Sequence, residues 1–315
     1  MKKHFWGVLG LILALAACKP TQKTTISMNA QELNKPSFAE AYQSRRNMDL
    51  VEKLGEPTGR INFKISAEKP SSSAEIDAWF KDNELRLPSF PYHDGAALNP
   101  LKKMKVGNYD RYRTATINKK SAYLAQVIEQ EDLVFLIYGN PPNEMHVITD
   151  TWAIVARDKK SGAEKFAFDM SAFGMAPEYI HRDKNFVFQD VLWAQHEDGI
   201  LYVQHAHWTY AESSKNMNAY ITAIDSKRGE ILWRSQPLVA NAGNFALMGN
   251  YIITGYSFTL ENSNLYALHK SNGKVAGQLE LQPKNDKKKF IDFIIPKGSQ
   301  LYIHAYDRQY IVNMN

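Results

Sequence analysis

Short apolar segments separated by turn residues fill the chain from Tyr109 to the C-terminus. The clearest unit is residues 219–235, where an apolar segment is followed by a polar turn and by a returning segment that ends near Trp233. Asp225 opens the turn and can accept hydrogen bonds from the amides ahead of it, while Gly229 supplies the positive φ that the return requires. The pattern therefore predicts a β-hairpin.

This hairpin recurs along the chain. Aligned on their turn glycines, three copies share columns: Gly162, Gly229 and Gly273; Ala156, Ala223 and Ala267; and Asp158, Asp225 and, in the third copy, His269. From Gly229 to Gly273 is 44 residues, and from Gly162 to Gly229 is 67. A period of about 40–50 residues built from short strands is typical of propeller blades.

The motif formed by Ala223, Asp225, Gly229 and Trp233 resembles the blade signature of the PQQ-like (quinoprotein-type) β-propellers. In that family the tryptophan docks against the next blade. The first copy has Phe166 in the tryptophan column, and the third copy has glycine there and lacks the aspartate. The resemblance covers about residues 118–315 and implies an all-β propeller.

The number of blades follows from the strand pattern. Four groups of strands after residue 122 and one before it predict five blades, or six if residues 63–98 form a degenerate blade. Helical patterns at the start of that region favour an embellishment instead. The last group has three strands, so we expect an N-terminal strand to complete it, either Arg60–Ser66 or Arg111–Ile117, because pairing removes exposed edges.

The N-terminus resembles a bacterial lipoprotein signal peptide over residues 1–17. A basic start precedes an apolar run too short to span a membrane, and Leu15-Ala16-Ala17-Cys18 matches a lipobox. In such lipoproteins the cysteine thiol carries the lipid, so Cys18 is the predicted lipidation site, with palmitate among the acyl chains. The alternative is an ordinary secretory signal in which Cys18 occurs by chance.

The signal predicts a location and a domain plan. Lys19, after the lipobox cysteine, favours an outer-membrane lipoprotein facing the periplasm, with the inner membrane or the cell surface as alternatives. Residues 18–36 are polar and predict a flexible tether. Residues 37–108 predict a helical and strand segment, with helices over 38–54 and 74–85 that follow capping boxes. Residues 109–315 form the predicted propeller.

Composition narrows the chemistry. Cys18 is the only cysteine, which excludes disulfides, metal thiolates and a thiol nucleophile from the mature chain. The formal charge is +5, and it falls to +3 when Lys2 and Lys3 leave with the signal. So small a charge does not indicate a nucleic-acid partner. The membrane, through the lipid, and a protein of the cell envelope are the predicted partners.

No cofactor is predicted. PQQ enzymes of the family bind the quinone with a calcium ion, often a vicinal disulfide, and typically eight blades, whereas this chain has one cysteine and is too short. His196, His205 and His207, together with His181, are candidate zinc or copper ligands, since alternate residues of a strand share a face. Without a carboxylate at fixed spacing, we expect these histidines to be packing residues.

These features predict a non-enzymatic lipoprotein whose propeller is a platform for protein binding or scaffolding. The nearest analogy is the propeller lipoprotein of the outer-membrane β-barrel assembly machinery, which has eight blades. Two other classes remain open: a metal-dependent envelope enzyme that uses the region from His181 to His207, and a propeller that binds a small ligand. An exposed subset of the aromatic residues could grip a peptide or a sugar.

Overall fold

The computed structural model describes residues 26–28, 30–32, 60–71, 75–85, 109–142, 148, 150–171, 189–214, 216–258, 261–282 and 290–315. Within these ranges the chain is almost entirely β-structure, as the sequence predicts. None of the helices in this part of the chain is both long and apolar enough to cross a membrane. Cys18 and the helix predicted over 38–54 lie outside the described residues.

The elements follow the alternation of apolar and polar residues along the chain. The first half contains β1 (Ile26–Met28), β2 (Gln31–Glu32), β3 (Phe63–Pro70), α1 (Ile76–Asp82), β4 (Thr114–Ile117), β5 (Lys120–Glu129), β6 (Leu133–Gly139), β7 (Ala153–Asp158) and β8 (Glu164–Asp169). The second half contains β9 (Asp190–Glu197), β10 (Ile200–Ala206), β11 (Tyr220–Asp225), β12 (Glu230–Arg234), β13 (Ala246–Met248), β14 (Tyr251–Tyr256), β15 (Ser263–His269), β16 (Val275–Gln282), β17 (Ile291–Lys297), β18 (Gln300–Ala305) and β19 (Arg308–Met314). Short 3-10 turns cover Asp110–Tyr112 and Ala211–Ser214.

These strands form four sheets among the described residues. Sheet I has the order β1-β4-β5-β6-β7-β8-β2, sheet II contains β9 to β12, sheet III contains β13 to β16, and sheet IV has the order β17-β18-β19-β3. Sheets II and III are four-stranded antiparallel meanders, as propeller blades are. The fold is a β-propeller of PQQ-like blades, and the total of five or six blades stays a prediction.

Sheet I curls on itself. Its two edge strands, β1 and β2, are separated by only two residues in the chain, so the opposite edges of the sheet meet. The amide of Asn118, after β4, donates to the carboxylate of Asp169 at the end of β8, 2.9 Å away. An enclosed core that includes Ile117, Tyr138 and Trp152 fills the curl. Both short edge strands fall within residues 18–36, for which the sequence predicts a flexible tether.

The turns of the recurrent hairpins have the aspartate hydrogen bonds and the positive glycine φ angles that the sequence predicts. The carboxylate of Asp225 accepts from the amides of Lys227 and Arg228, at 3.0 and 2.8 Å, and Gly229 has a φ of 69°. Asp158 accepts in the same way in the first copy, where Gly162 has a φ of 70°. In the third copy, which lacks the aspartate, the side-chain oxygen of Asn272 accepts from the amide of Lys274 instead.

Tryptophan docking joins sheet II to sheet III. Trp233 is 1% exposed, and its indole nitrogen donates to the carbonyl of Lys270 at the end of β15, 2.9 Å away. A Cβ on Gly273 would overlap the indole ring, so only glycine allows this approach. Sheets III and IV are joined by Asn244, whose side chain exchanges two 2.8 Å hydrogen bonds with the backbone of Ile294.

An N-terminal strand completes sheet IV. Strand β3 pairs antiparallel with β19, with Tyr310 opposite Glu68. Of the two candidates that the sequence offers, this strand corresponds to Arg60–Ser66, while residues 114–117 pair within sheet I as β4. Helix α1 packs on sheet IV, since Trp79 and Phe80 are buried against a cluster that includes Phe293 and Tyr302. The sequence predicts this helix and the shared face of these two residues.

Candidate functional site

Polar and aromatic side chains gather at one end of the sheets. We call it the loop end, because it carries the connections from β6 to β7, β10 to β11, β14 to β15 and β18 to β19. Among the described residues, the large hydrophobic side chains most exposed to solvent all lie there: Trp208 at 52%, Tyr210 at 43% and Tyr306 at 41%. Propellers bind ligands through such loops, while the sheets act as a rigid support.

Three aromatic rings form a continuous row across the loop end. The ring of Tyr210 meets that of Phe258 edge to face, with centroids 5.0 Å apart, and Phe258 meets Phe290 in the same way at 5.9 Å. Tyr210 follows β10, Phe258 follows β14, and Phe290 precedes β17, so this aromatic row spans sheets II, III and IV. Edge-to-face contacts fix the ring orientations, which gives a prepared apolar surface.

A carboxylate anchors the loops beneath the aromatic row. Glu261 accepts a hydrogen bond from the Tyr256 hydroxyl and another, at 3.3 Å, from the amide of Ala211. This contact ties the loop after β14 to the loop that carries Tyr210. Burial and the neighbouring Glu261 raise the pKa of Tyr256, so its hydroxyl keeps its proton and remains a donor.

Asp190 joins two sheets at the same end. Its carboxylate accepts from the amide of Thr151 at 2.7 Å and from the Thr151 hydroxyl at 3.1 Å. Burial raises the pKa of Asp190 to about 6, although these hydrogen bonds oppose the shift. The residue links sheet I to sheet II, because Thr151 precedes β7 and Asp190 begins β9.

A second carboxyl lies close by. Asp150 is adjacent to Thr151, has a φ of 52° in the left-handed region, and accepts from the side-chain amide of Asn140 at 3.0 Å. Burial raises its pKa, and its charge also raises the pKa of Asp190. Both carboxyls therefore hold a proton more tightly than an exposed aspartate does.

The structure places His205 and His207 in the interior, each against a hydroxyl group. The Nε2 atom of His205 lies 2.9 Å from the Thr222 hydroxyl, and its ring stacks on Tyr220. The Nε2 atom of His207 lies 2.7 Å from the Ser214 hydroxyl. Burial lowers the pKa of both, that of His207 to about 4, so they are neutral at physiological pH.

His196 belongs to a different region. It pairs with Leu201, four residues before His205 on β10, which separates the two positions by about 13 Å along the sheet. Its Nε2 atom lies 3.0 Å from the Ser226 hydroxyl, and its ring contacts Phe166 of sheet I. The three histidines therefore do not come together as a cluster. His181 lies outside the described residues.

The quinone of the resembling family has no fitting site in the part of the chain that the structure describes. No group of three histidine, cysteine or acidic side chains there could hold a metal ion such as the accompanying calcium. The single cysteine, Cys18, also provides no vicinal disulfide.

Sequence patterns locate the blade-motif residues but miss the loop-end site. Ala156, Ala223 and Ala267 are fully buried, in line with a column that admits only a small side chain. Asp150, Asp190 and Glu261 stand in no recognisable motif, and the contacts that join sheets or loops, Asp190 with Thr151 and Glu261 with Ala211, span 39 and 50 positions. The only sequence feature that hints at this site is the abundance of aromatic residues, which is equally typical of packing between blades.

Comparison with known proteins gives structural likeness only. No family model matches the sequence, and no curated protein matches it. Similar solved structures include a europium-containing methanol dehydrogenase, with 11% identity and a TM-score of 0.33 over 51% of this chain and 27% of that one. A quinohemoprotein alcohol dehydrogenase from Pseudomonas putida has 14% identity and a TM-score of 0.35 over 57% and 28%. Myxococcus xanthus glutaminyl cyclase has 10% identity and a TM-score of 0.38 over 82% and 99%.

These likenesses transfer no activity. This chain matches only about a quarter of the length of either dehydrogenase, and all three TM-scores lie below 0.5. The fold assignment rests on the stacked antiparallel sheets and on the docking of Trp233.

The comparisons correct one prediction. The sequence predicts a non-enzymatic protein, and this prediction is wrong, because two dehydrogenases and a cyclase are among the similar structures. The absence of the quinone motifs excludes one cofactor chemistry and does not exclude catalysis as such. In a propeller that is an enzyme, the catalytic groups lie on the loops between strands, so a pattern of blade residues does not reveal them.

Proposed function

We propose that the protein is a cell-envelope lipoprotein whose propeller binds a protein segment at its loop end. The observation that carries the proposal is the aromatic row of Tyr210, Phe258 and Phe290, with the exposed Trp208 beside it. Aromatic residues are enriched where protein partners bind, since they bury much area at a low cost in conformational entropy.

The anchoring contacts support this surface. Glu261 connects the Tyr210 loop to β14 through its contacts with Ala211 and Tyr256. A ring held in place before binding loses little freedom when a partner covers it, which favours affinity. A partner that belongs to outer-membrane assembly fits the analogy made from the sequence.

The lipid anchor supplies the location in this proposal. The lipobox that ends at Cys18 would tether the propeller to the periplasmic face of the outer membrane. Replacement of Cys18 by serine should release the protein from the membrane fraction after a carbonate wash. Variant protein that still sediments with membranes would contradict the lipoprotein assignment.

Binding is tested separately. The native lipoprotein is purified from detergent-solubilised membranes, and co-purifying proteins are quantified by mass spectrometry. The double variant Trp208→Ala and Tyr210→Ala should lose a specific partner, whereas Tyr306→Ala, an exposed aromatic at the same end outside the row, should retain it. Equal recovery of every co-purifying protein from all three samples would contradict the proposal.

A further inference from the structure

We infer that a cleft beside the hairpin of β7 and β8 is a binding site for an oxyanion, of the class of phosphate groups. The cleft has a volume of about 250 Å³ and lies between the 3-10 turn at residues 110–112 and the hairpin turn at residues 158–162. It lies in sheet I and shares no residue with the aromatic row. The inference does not depend on the proposed function.

Basic side chains dominate the cleft walls. Four of the lining residues are cationic and one is acidic: Arg111, Arg157, Lys159 and Lys160, against Asp158. Asp158 is already occupied, since its carboxylate accepts from the amides of the turn and lies 3.3 Å from Lys165. The hydrogen bonds from Ser161 lower the pKa of Asp158 to about 2, so this carboxylate belongs to the turn.

Two guanidinium groups share one aromatic ring. The central carbon of Arg111 lies 4.7 Å from the ring centroid of Tyr112, and that of Arg157 lies 4.8 Å from it. Tyr112 is buried, and the Tyr138 hydroxyl donates to its carbonyl at 3.0 Å, so the ring is a fixed platform. Two positive charges at one ring repel each other, and an anion bound in the cleft would offset that repulsion.

Arg157 is held in place in the wall of the cleft. The Nε of Arg157 is inaccessible to solvent and has no hydrogen-bond partner among the described residues. Its Nη1 donates to the carbonyl of Gly162 at 2.8 Å, and its Nη2 lies 3.4 Å from Glu164. The guanidinium is therefore fixed in place, and it contributes its positive charge to the cleft.

Two of the four cationic side chains, Arg111 and Lys160, are available to a ligand. Lys159 forms a 2.9 Å ion pair with Glu129, which lowers the pKa of Glu129. Within the described ranges, Arg111 and Lys160 form no ion pair with a carboxylate. Both side chains are exposed, so a ligand can reach them from solvent.

The size and walls of the cleft define the ligand class. Val134 and Leu136 contribute apolar surface, and Tyr109 lines the rim. The volume suits a single phosphate group with a small substituent, and neither a nucleic-acid strand nor a folded protein would fit. The phosphate could belong to a soluble phosphomonoester or to the headgroup of an anionic lipid, which present the same oxygens.

The test uses the full chain with Cys18→Ser, so that no lipid anchor contributes. Thermal unfolding is followed in inorganic phosphate and in chloride of matched ionic strength. Phosphate should raise the unfolding midpoint, because a ligand that binds the folded state stabilises it. Arg111→Gln, which removes the charge from an exposed position, should weaken phosphate binding about tenfold or more.

The control is Arg228→Gln. Arg228 occupies the corresponding turn of sheet II, is exposed, and pairs with Asp225 at 2.9 Å. Its loss should leave phosphate binding unchanged. Equal weakening by both substitutions would overturn the inference, because it would mean that only the general surface charge attracts phosphate.

Vesicle sedimentation identifies the source of the phosphate. Binding to phosphatidylglycerol vesicles but not to phosphatidylcholine vesicles, lost in Arg111→Gln, would indicate a lipid headgroup. A response to inorganic phosphate without vesicle binding would indicate a soluble ligand. If phosphate has no effect beyond that of chloride and neither vesicle binds, the inference is wrong.

Discussion

The indole nitrogen of Trp233 donates to the carbonyl of Lys270 in the following sheet, 2.9 Å away. The two residues are 37 positions apart, yet the contact joins the end of one hairpin to the turn of the next. This contact turns a repeated local hairpin into a stack of sheets, since it buries the largest side chain of the hairpin between them.

Trp233→Ala should therefore be strongly destabilising. Truncation of a fully buried tryptophan typically costs about 3–5 kcal/mol of unfolding free energy, a large share of the total stability of a domain. Chemical denaturation measures the loss. Trp208→Ala, at an exposed position, should cost far less, and equal losses would show that burial of Trp233 does not decide the effect.

Gly273→Ala tests the other side of this contact. Gly273 and Gly199 both have a positive φ, 72° and 80°, so alanine strains the backbone at either position. A Cβ at Gly273 would also overlap Trp233, whereas at Gly199 it would meet nothing within 4 Å. Gly273→Ala should be the more destabilising by about 1–3 kcal/mol, the usual cost of overpacking. Equal losses would mean that the indole moves aside freely.

Asp190 should make stability depend on pH. Its folded pKa of about 6 lies above the ordinary value of 3.8, so the folded protein holds this proton more tightly than the unfolded chain does. Relative to Asp190→Asn, the native protein should gain up to about 3 kcal/mol of unfolding free energy between pH 7 and pH 4. Denaturation of both proteins at several pH values measures this difference, which would be constant with pH if Asp190 kept an ordinary pKa.

Metal removal should leave the protein unchanged. The Nε2 atoms of His205 and His207 lie against the hydroxyls of Thr222 and Ser214. A strong chelator should therefore not shift the thermal unfolding midpoint. Elemental analysis of tag-free protein is the check, and a metal-to-protein ratio near one that is lost in the double variant His205→Ala and His207→Ala would contradict this expectation.

His207 adds a second, opposite dependence on pH. Burial lowers its pKa from 6.5 to about 4, so the folded state disfavours its charged form. The stability that depends on its neutrality is complete above pH 6.5 and is lost as the pH falls towards 4. His207→Gln, which stays neutral, should lose less stability than the native protein over this interval when chemical denaturation is compared at pH 7 and pH 4.

The sequence by itself determined the hairpins. Alternation of apolar residues marks strands such as β11 and β14, and the turn chemistry of Asp225 and Gly229 acts within five residues. Such signals are local, so they survive without knowledge of the fold. The amphipathic face of α1 is local in the same sense, and Trp79 and Phe80 are both buried.

Only the tertiary structure decided how the ends of the chain are used. Residues 60–66 and 111–117 alternate equally well, yet β3 completes sheet IV and β4 belongs to sheet I. The alternation of apolar and polar residues indicates which face of a strand is buried, but it does not indicate which sheet the strand joins or at which edge. Edge pairing between residues some 240 positions apart, such as Glu68 and Tyr310, depends on the stacking of all the intervening sheets.

The candidate sites were decided by tertiary structure for the same reason. Asp190 meets Thr151 from 39 positions away, and Arg111 meets the turn at Gly162 only because sheet I curls. Neither contact produces a recognisable spacing of residues in the sequence, since each residue belongs to a different strand or turn. Long-range packing creates the buried carboxyl, the aromatic row and the basic cleft from residues that separately look like ordinary ends of strands.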